Sequence, residues 1–277
     1  MKNRLISILL MVALLYMPTK IWAQFQLSQD NITKFKSTKT YIVLEGGMFS
    51  EFNSTIRQCA QACWTITPYE IISQSQYEQY CKRENCSFMM LVDGIYDLGG
   101  KSMQCNVLTI VLGHKSGNID KMPDVISIPV ATYDEDGESN SYGYKMMGIL
   151  KSVQYLLNHP TTIGSSKDLS AINSGEVKNK TLLLTANDVV RVLNDKEKIK
   201  DVYSHPFILT SEKEVEQALL QADKEKAFVH TIGEAGKISL MIIADCSDGT
   251  ILYGNFRQVK NNADIGLNVY DFKELSR

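Results

Sequence analysis

The residues best able to form covalent bonds or bind a metal are six cysteines, at positions 59, 63, 81, 86, 105 and 246. Cys81 and Cys86 flank a short turn between a predicted helix end and a predicted strand start. Two residues in that arrangement can be bridged without distorting the backbone, and an oxidising compartment would favour the bond. The sequence therefore predicts a Cys81–Cys86 disulfide.

A zinc site is the alternative use of these thiols, and it needs Cys59, Cys63, Cys81 and Cys86 to converge on one ion. Cys59 and Cys63 lie one helical turn apart on an apolar stripe, where cysteine usually acts as a small buried hydrophobic residue. The spacing within each pair, with one pair borne on a helix, also differs from that of common zinc motifs. We therefore predict no metal site and no thiol chemistry.

The run Gly99-Gly100-Lys101-Ser102 resembles the end of a phosphate-binding loop. That loop needs a glycine at the position that Ile95 occupies, and it needs a helix whose first amides hold the phosphate. A strand pattern follows instead. The run is better interpreted as a β-hairpin turn, and no nucleotide or other cofactor is predicted.

The remaining candidates for catalysis or metal binding are the histidines and one acidic run. His114, His159, His205 and His230 have no ligand or triad spacing, which predicts solvated or capping side chains. The acidic run 134–138 departs from a calcium-binding loop in the position of its glycine and lacks the distal glutamate. No catalytic, cofactor-binding or metal-ligating residue is assigned, and the sequence favours a protein that is not an enzyme.

Apolar patterns predict the elements of a first unit over residues 40–159. The strands are 41–44, 69–72, 87–96, 103–112 and 125–130, and the helices are an apolar stripe from Phe52 to Cys63 and residues 74–83. A long stripe from Tyr142 to Leu157 stops at His159-Pro160, where proline cannot continue a helix. This last helix is expected to close the first unit.

The second half repeats the first. Pro68-Tyr69-Glu70-Ile71-Ile72-Ser73, Glu78-Gln79, Gly100-Lys101 and Ser116-Gly117 return as Pro206-Phe207-Ile208-Leu209-Thr210-Ser211, Glu216-Gln217, Gly236-Lys237 and Asp248-Gly249. Strands are predicted at 180–185, 207–210, 227–233, 237–244 and 250–257, with helices at 187–200 and 211–222. Ser211 and Glu214 form a capping box at the start of the last helix. The fold class is α/β (α+β), as two tandem β-α-β-α-β-β units with mixed sheets.

The first residues predict export. Lys2 and Arg4 precede an apolar run that ends before Pro18, and Ile21-Trp22-Ala23 is typical of a signal peptidase site. The expected organisation is a signal peptide at 1–23, an extension at 24–39, the first unit at 40–159, a linker at 160–179 and the second unit at 180–277. An uncleaved anchor is the alternative, but the apolar run is short for a membrane span.

The net charge of the chain limits the classes of partner that can be expected. The chain has a formal net charge of −2, and its signal region carries three basic residues and no acidic one. The exported chain is therefore more acidic and has no Lys/Arg cluster, which disfavours nucleic acid and anionic lipid. No membrane span is expected after processing.

One stretch resembles a known family. It consists of Pro68 to Gln76, a strand through Asp93-Gly94-Ile95, Leu98-Gly99-Gly100-Lys101, an alternating strand and the turn Lys115 to Ile119. It resembles the bacterial envelope module shared by the N-terminal domain of the Tol-Pal translocation protein, the curli secretion lipoprotein and the penicillin-binding-protein activator lipoproteins. The resemblance covers residues 40–158 and, more weakly, 180–254. It implies an anticodon-binding-domain-like core without enzymatic activity. This chain departs from the family in carrying two copies and no lipidation cysteine.

Three functional hypotheses follow. The first is a non-catalytic, exported interaction module that holds an envelope protein or a glycan with its sheet edges or with the cleft between its units. The second is a periplasmic small-ligand binding protein with a pocket between the units. The third is a hydrolase with dispersed catalytic residues. A large pocket with converging carboxylates would favour the second or third.

Overall fold

The computed structural model describes residues 27–47, 50–98, 100–133, 140–160 and 174–277. Both the predicted signal peptide and the acidic run lie outside these ranges, as does most of the predicted linker. None of the helices in the described ranges is long and apolar enough to cross a bilayer.

Ten strands and eight α-helices make up the described chain. The strands are β1 Lys39–Val43, β2 Tyr69–Ile72, β3 Cys86–Leu98, β4 Lys101–Leu112, β5 Asp124–Thr132, β6 Thr181–Leu184, β7 Phe207–Leu209, β8 Lys226–Gly233, β9 Ile238–Asp245 and β10 Ile251–Gln258. The helices are α1 Gln29–Lys36, α2 Glu51–Cys63, α3 Gln74–Tyr80, α4 Met146–Asn158, α5 Ser174–Val177, α6 Lys196–Lys200, α7 Glu212–Leu220 and α8 Val269–Leu275.

The strands form two five-stranded mixed sheets with the same topology. The first sheet has the order β2-β1-β3-β4-β5, and the second has the corresponding order β7-β6-β8-β9-β10. In each, the first three strands pair in parallel and the last three pair antiparallel. The predicted fold class of two repeated α/β units is therefore confirmed.

The two central hairpins turn on equivalent glycines. Gly100 has φ of 77° and Gly236 has φ of 75°, a left-handed conformation that glycine adopts without a steric penalty. Leu98 pairs with Lys101 across the first of these turns. The interpretation of this run as a hairpin rather than a phosphate loop is confirmed.

Helix boundaries follow their caps. Ser73 begins α3 and Ser211 begins α7, each in a capping box with the residue three positions later. The box at Ser211 and Glu214 was predicted from the sequence. Helix α3 ends at Tyr80, three residues before its predicted end.

One predicted helix is wrong. Residues 187–200 contain an isolated bridge from Val189 to Leu267, a 3₁₀ turn at Arg191–Leu193 and a short helix only at Lys196–Lys200. The backbone of Val190 also donates to the carbonyl of Leu267. This pairing with a distant segment takes the chain out of helical geometry.

A single apolar core joins the two units. It contains Ile42 and Met89 of the first sheet together with Phe228 and Leu240 of the second. Helix α4 lies between the units, packing on α2 and β5 on one side and on α7, β9 and β10 on the other. Eleven of its thirteen residues are buried, so it serves both units rather than closing the first one alone.

Candidate functional site

A cleft of about 750 Å³ opens between the two units. The first unit lines it with the end of β5 and the segment that leads into α4. The second unit lines it with the segment after β6, with β8 and with the turn before α8. Its polar lining residues are Gln104, Thr132, Tyr133, Asn140, Ser141, Tyr142, Tyr144, Lys145, Asn187, Arg191, Asn194, His230, Thr231, Glu234 and Asn262.

A buried ion pair joins the units at the inner wall of this cleft. Lys145 ends a 3₁₀ turn just before α4, and its Nζ lies 2.8 Å from Oδ1 of Asp188. The two side chains are 5% and 1% exposed. The other oxygen of Asp188 accepts from the backbone N–H and the hydroxyl of Thr185, at 2.8 and 2.7 Å. Both carboxylate oxygens are therefore occupied.

The charge of Lys145 is retained despite its burial. Burial by itself lowers the pKa of Lys145, but attraction to Asp188 and interaction with the Tyr144 hydroxyl outweigh this and raise the pKa. Burial also raises the pKa of Tyr144. At neutral pH the cluster thus contains an ammonium group and a neutral phenol.

His230 faces the same wall from β8. Its Nε2 lies 3.0 Å from the carbonyl oxygen of Pro129, and the residue is 4% exposed. A carbonyl can only accept, so Nε2 carries the proton and Nδ1 is the unprotonated nitrogen. Burial and the nearby positive charge of Lys145 lower the pKa of His230 to about 4, so the ring is neutral at physiological pH.

Two buried polar atoms at the cleft have no hydrogen-bond partner within the described part of the chain. They are Nδ1 of His230 and Oγ1 of Thr231. These residues are neighbours on a strand, so their side chains point to opposite faces of the sheet. His230 therefore cannot act as a base for the Thr231 hydroxyl.

Charged groups at the mouth of the cleft differ in their pairing. Glu234 forms an ion pair with Lys237 at 2.8 Å and accepts from the backbone of Gln104. Arg191 is exposed, and no ion pair of its guanidinium is found among the described residues. Among the described residues, the mouth therefore has one cation without an ion-pair partner.

A hydrogen-bonded triad supports the wall formed by the first unit. Tyr133 donates its hydroxyl proton to Asp93 at 2.6 Å, and Asn106 donates to the same carboxylate oxygen at 2.8 Å. Asn106 also donates to the Tyr133 oxygen at 3.0 Å. Burial and the neighbouring Asp93 carboxylate raise the pKa of Tyr133 well above its usual range. Tyr133 therefore stays a neutral phenol with a fixed orientation.

The cysteines lie away from this cleft and do not converge. Cys59 belongs to the shared core, whereas Cys81 and Cys86 belong to a separate cluster with Tyr41 and Phe88 on the other face of the first sheet. The carbonyls of Cys81 and Cys86 accept from the consecutive amides of His114 and Gly113. This separation excludes the four-cysteine zinc site that was considered as an alternative. The Cys81–Cys86 disulfide stays a prediction, and both residues are thiols in this structure.

Three other thiols surround a buried lysine. Nζ of Lys151 donates to the carbonyls of Leu219 and Cys246, both at 2.8 Å. Burial raises the pKa of Cys59 to about 12, of Cys63 to about 11 and of Cys246 to about 12. Such thiols stay protonated and are poor nucleophiles.

The expectation of solvated or capping histidines fails at two positions. His205 is half-buried, and its Nε2 is shielded from solvent without a hydrogen-bond partner among the described residues. His114 and His159 make local hydrogen bonds near the surface, as expected for capping side chains. His230 is instead buried in the wall of the cleft. His230 lies two residues from Phe228 and two from Ile232, so all three share one face of the strand. This spacing was the sequence pattern that could have identified it as buried.

Neither the metal-binding side chains nor comparison with known proteins assigns a further role to any residue. No group of three or more histidine, cysteine or acidic residues suited to a metal ion occurs in the described ranges. Neither a protein-family model, a curated protein nor a solved structure matches the chain.

Proposed function

We propose that the protein is a non-catalytic, exported binding protein that holds a glycan in the cleft between its two α/β units. The observation that carries this proposal is the composition of the cleft. Amide and hydroxyl side chains from both units dominate its polar lining. Among the described lining residues, only Lys145, Arg191 and Glu234 are charged. Two of those three are already paired with other side chains.

Such a lining suits a ligand rich in hydroxyl groups. Each sugar hydroxyl both donates and accepts a hydrogen bond, as do amide and phenol side chains. The volume lies within the range for pockets that hold small ligands. The low positive charge of the cleft disfavours polyphosphates and nucleic acids.

The described lining of the cleft favours binding over hydrolysis. Glycoside hydrolysis uses two carboxyl groups that face each other across the scissile bond. Among the described lining residues, Glu234 is the one carboxylate, and it is paired with Lys237.

Export to the bacterial envelope is part of the proposal, on the strength of the basic and apolar N-terminal sequence. Mass spectrometry of the native protein should find Gln24 as the first residue. Intact Met1 in a membrane fraction would contradict it.

The binding test uses residues 24–277 on an array of neutral and N-acetylated oligosaccharides, followed by calorimetry with the glycans that bind. Ala186 is exposed and lines the cleft, so Ala186→Trp should fill the cleft without disturbing the core. We expect this variant to bind at least about tenfold more weakly, since it excludes the ligand.

Ala62 is exposed on α2 and does not line the cleft, so Ala62→Trp is the matched control and should bind like the wild type. If no glycan binds the wild type, the glycan proposal is wrong. If Ala186→Trp binds as well as Ala62→Trp, the site lies elsewhere.

A protein partner at a sheet edge is the second candidate. Strand β7 ends the second sheet, and Ile208 on it is 44% exposed. An open edge with an apolar side chain can pair with an added strand. Crosslinking in envelope extract should then map to residues 207–209 and should be lost with Ile208→Lys, whereas crosslinks confined to the cleft would exclude this candidate.

A further inference from the structure

We propose that the glycan held in the cleft is acidic, and that Arg191 binds one singly charged group of it, a carboxylate or a sulfate ester. This inference rests on the proposed function, and it names the chemical class of glycan that the cleft selects. It requires a cation that a ligand can reach, that has no ion-pair partner, and that lies among groups able to bind sugar hydroxyls.

Arg191 is accessible to a ligand. It begins the 3₁₀ turn Arg191–Leu193, just after the bridge between Val189 and Leu267. The residue is exposed and lines the cleft, whereas Leu193 in the same turn is buried in the core of the second unit. The turn is therefore anchored by its apolar residue and leaves the guanidinium at the mouth of the cleft.

No described carboxylate neutralises Arg191. The 3₁₀ turn Asn262–Asp264 contacts the turn of Arg191, but Asp264 accepts from Asn261 at 3.4 Å and forms no ion pair with Arg191. The other charged residues of the described lining, Lys145 and Glu234, each have their own partner. Within that lining, Arg191 is the cation left for a ligand.

Three amide side chains of the same unit also line the cleft. They belong to Asn187, Asn194 and Asn262, and all three residues are exposed. Their side chains have no hydrogen-bond partner within the described ranges. An amide group can both donate and accept, so these side chains suit the hydroxyl groups of a sugar. Arg191 adds the one charged donor to this set.

A guanidinium discriminates between classes of ligand. It is always charged and only donates, and its parallel N–H bonds match two oxygens of a carboxylate or a sulfate. A neutral hydroxyl gains no ionic attraction from it. A polyphosphate would bring several charges to a described lining in which one cation lacks an ion-pair partner. The cleft therefore favours a glycan with isolated acidic groups over both a neutral glycan and a polyanion.

The experiment extends the array with oligosaccharides that contain uronic acid, sialic acid or sulfate esters, together with the carboxyl-reduced or desulfated form of each. Calorimetry compares the acidic glycan that the wild type binds best with its neutral form. We expect the acidic form to bind about tenfold more tightly, the contribution of one charge-assisted hydrogen bond. The neutral form should still bind. The chemistry of the preferred pair distinguishes a carboxylate from a sulfate ester.

Arg191→Gln should abolish this preference. It should bind the acidic glycan about tenfold more weakly than the wild type does and the neutral form within about twofold of the wild type. Arg57→Gln is the matched control and should keep the preference. Arg57 on α2 is likewise exposed and has no ion pair among the described residues, but it does not line the cleft.

The outcomes are distinct. A wild type that binds glycans without preferring any acidic form to its neutral form overturns this inference and leaves the glycan proposal in place. The acidic run 134–138 joins the lining residues Tyr133 and Asn140 in sequence, and competition of its carboxylates for Arg191 would give that result. A preference that persists in Arg191→Gln also overturns the inference. No binding of any glycan, acidic or neutral, overturns both.

Discussion

His230 is a buried base whose protonation opposes folding. Its pKa is about 4 in the folded chain and about 6.5 when exposed, chiefly because of burial. The imidazole also lies near the Lys145 ammonium, so a second positive charge there is unfavourable. Because of burial and this repulsion, protonation of the imidazole lowers the stability of the folded protein.

The first prediction concerns the pH dependence of stability. Between these two pKa values the unfolded chain binds the proton and the folded chain does not, so the free energy of unfolding falls as the pH decreases from about 6.5 to about 4. The gap corresponds to about 3 kcal/mol. Urea denaturation across this range should show the fall in the wild type and a smaller one in His230→Gln. A constant difference between the two proteins from pH 7 to pH 4.5 would contradict it.

The second prediction concerns the Lys145–Asp188 pair. Lys145→Met should lower the free energy of unfolding by about 3–5 kcal/mol, because it leaves a buried carboxylate without its cation. The double variant Lys145→Met/Asp188→Asn should be more stable than that single variant, since no uncompensated charge remains. Urea denaturation measures both.

The control for this pair is Lys39→Met. Lys39 pairs with Glu70 at the surface, where the side chains are 45% and 46% exposed, and solvent screens such pairs. Lys39→Met should therefore change the free energy of unfolding only slightly. Equal losses in the buried and the surface variants would show that burial does not govern the effect.

The third prediction is the Cys81–Cys86 disulfide in the exported protein. Both residues are held by neighbouring amides of the Gly113–His114 segment, in the small cluster on the outer face of the first sheet. Non-reducing peptide mapping of native material should find them linked, with Cys59 and Cys63 unlinked at the shared core. Labelling of Cys81 as a free thiol would exclude the bond.

At the scale of elements, helix α4 explains how two units become one body. It crosses the second sheet so closely that Gly148 lies against the ring of Phe228 on β8. A Cβ built at Gly148 would lie 2.4 Å from Phe228 Cζ and 2.9 Å from Leu219 Cδ2. A side chain at this position therefore cannot be accommodated without moving the second unit.

The fourth prediction tests this contact. Gly148→Ala should destabilise the protein by roughly 1–3 kcal/mol, because overpacking forces the helix and sheet apart. Gly175→Ala is the control: it also lies in a helix, α5, and a Cβ there meets no atom within 4 Å. Alanine is the better helix former, so that variant should be equal to or slightly more stable than the wild type. A lower thermal midpoint for Gly175→Ala than for Gly148→Ala would contradict this account.

At the scale of the whole molecule, the shared core couples the units. Phe228, Leu240 and Leu219 of the second unit are buried in the same cluster as Ile42 and Trp64 of the first. Separation of the units would expose these side chains to water, at a large cost in free energy. The two copies should therefore unfold together.

The fifth prediction is a single unfolding transition. Trp64 is the one tryptophan that remains after the predicted cleavage, so its fluorescence reports on the first unit, while far-ultraviolet circular dichroism reports on both. The two urea curves should coincide, and Gly148→Ala should shift them together. A second transition in circular dichroism alone would show independent units.

Much of the fold could be predicted from the sequence because its elements obey local rules. The alternation in β3 and β4 shows which faces are buried. The glycines at 100 and 236 mark turns that need a left-handed residue, and the repeated pattern around them implies a repeated strand order. Each of these features depends on residues that are near one another in the chain.

Where distant segments meet, the local rules were insufficient. The helix predicted at 187–200 is replaced by pairing between Val189 and Leu267, which no local pattern reports. Helices α1, α5 and α8 were not predicted, and α5 lies within the predicted linker. The short apolar faces of these helices become meaningful only when the sheets that they cover are present.

The cleft belongs entirely to the tertiary structure. The sequence by itself determined a duplicated α/β chain with an export signal pattern and without a recognisable catalytic motif. Lys145 meets Asp188, and His230 meets Pro129, only because the units dock across α4. A local pattern carries the period of a helix or strand, but the relative position of two units depends on how their apolar faces pack, and that packing alone creates the site.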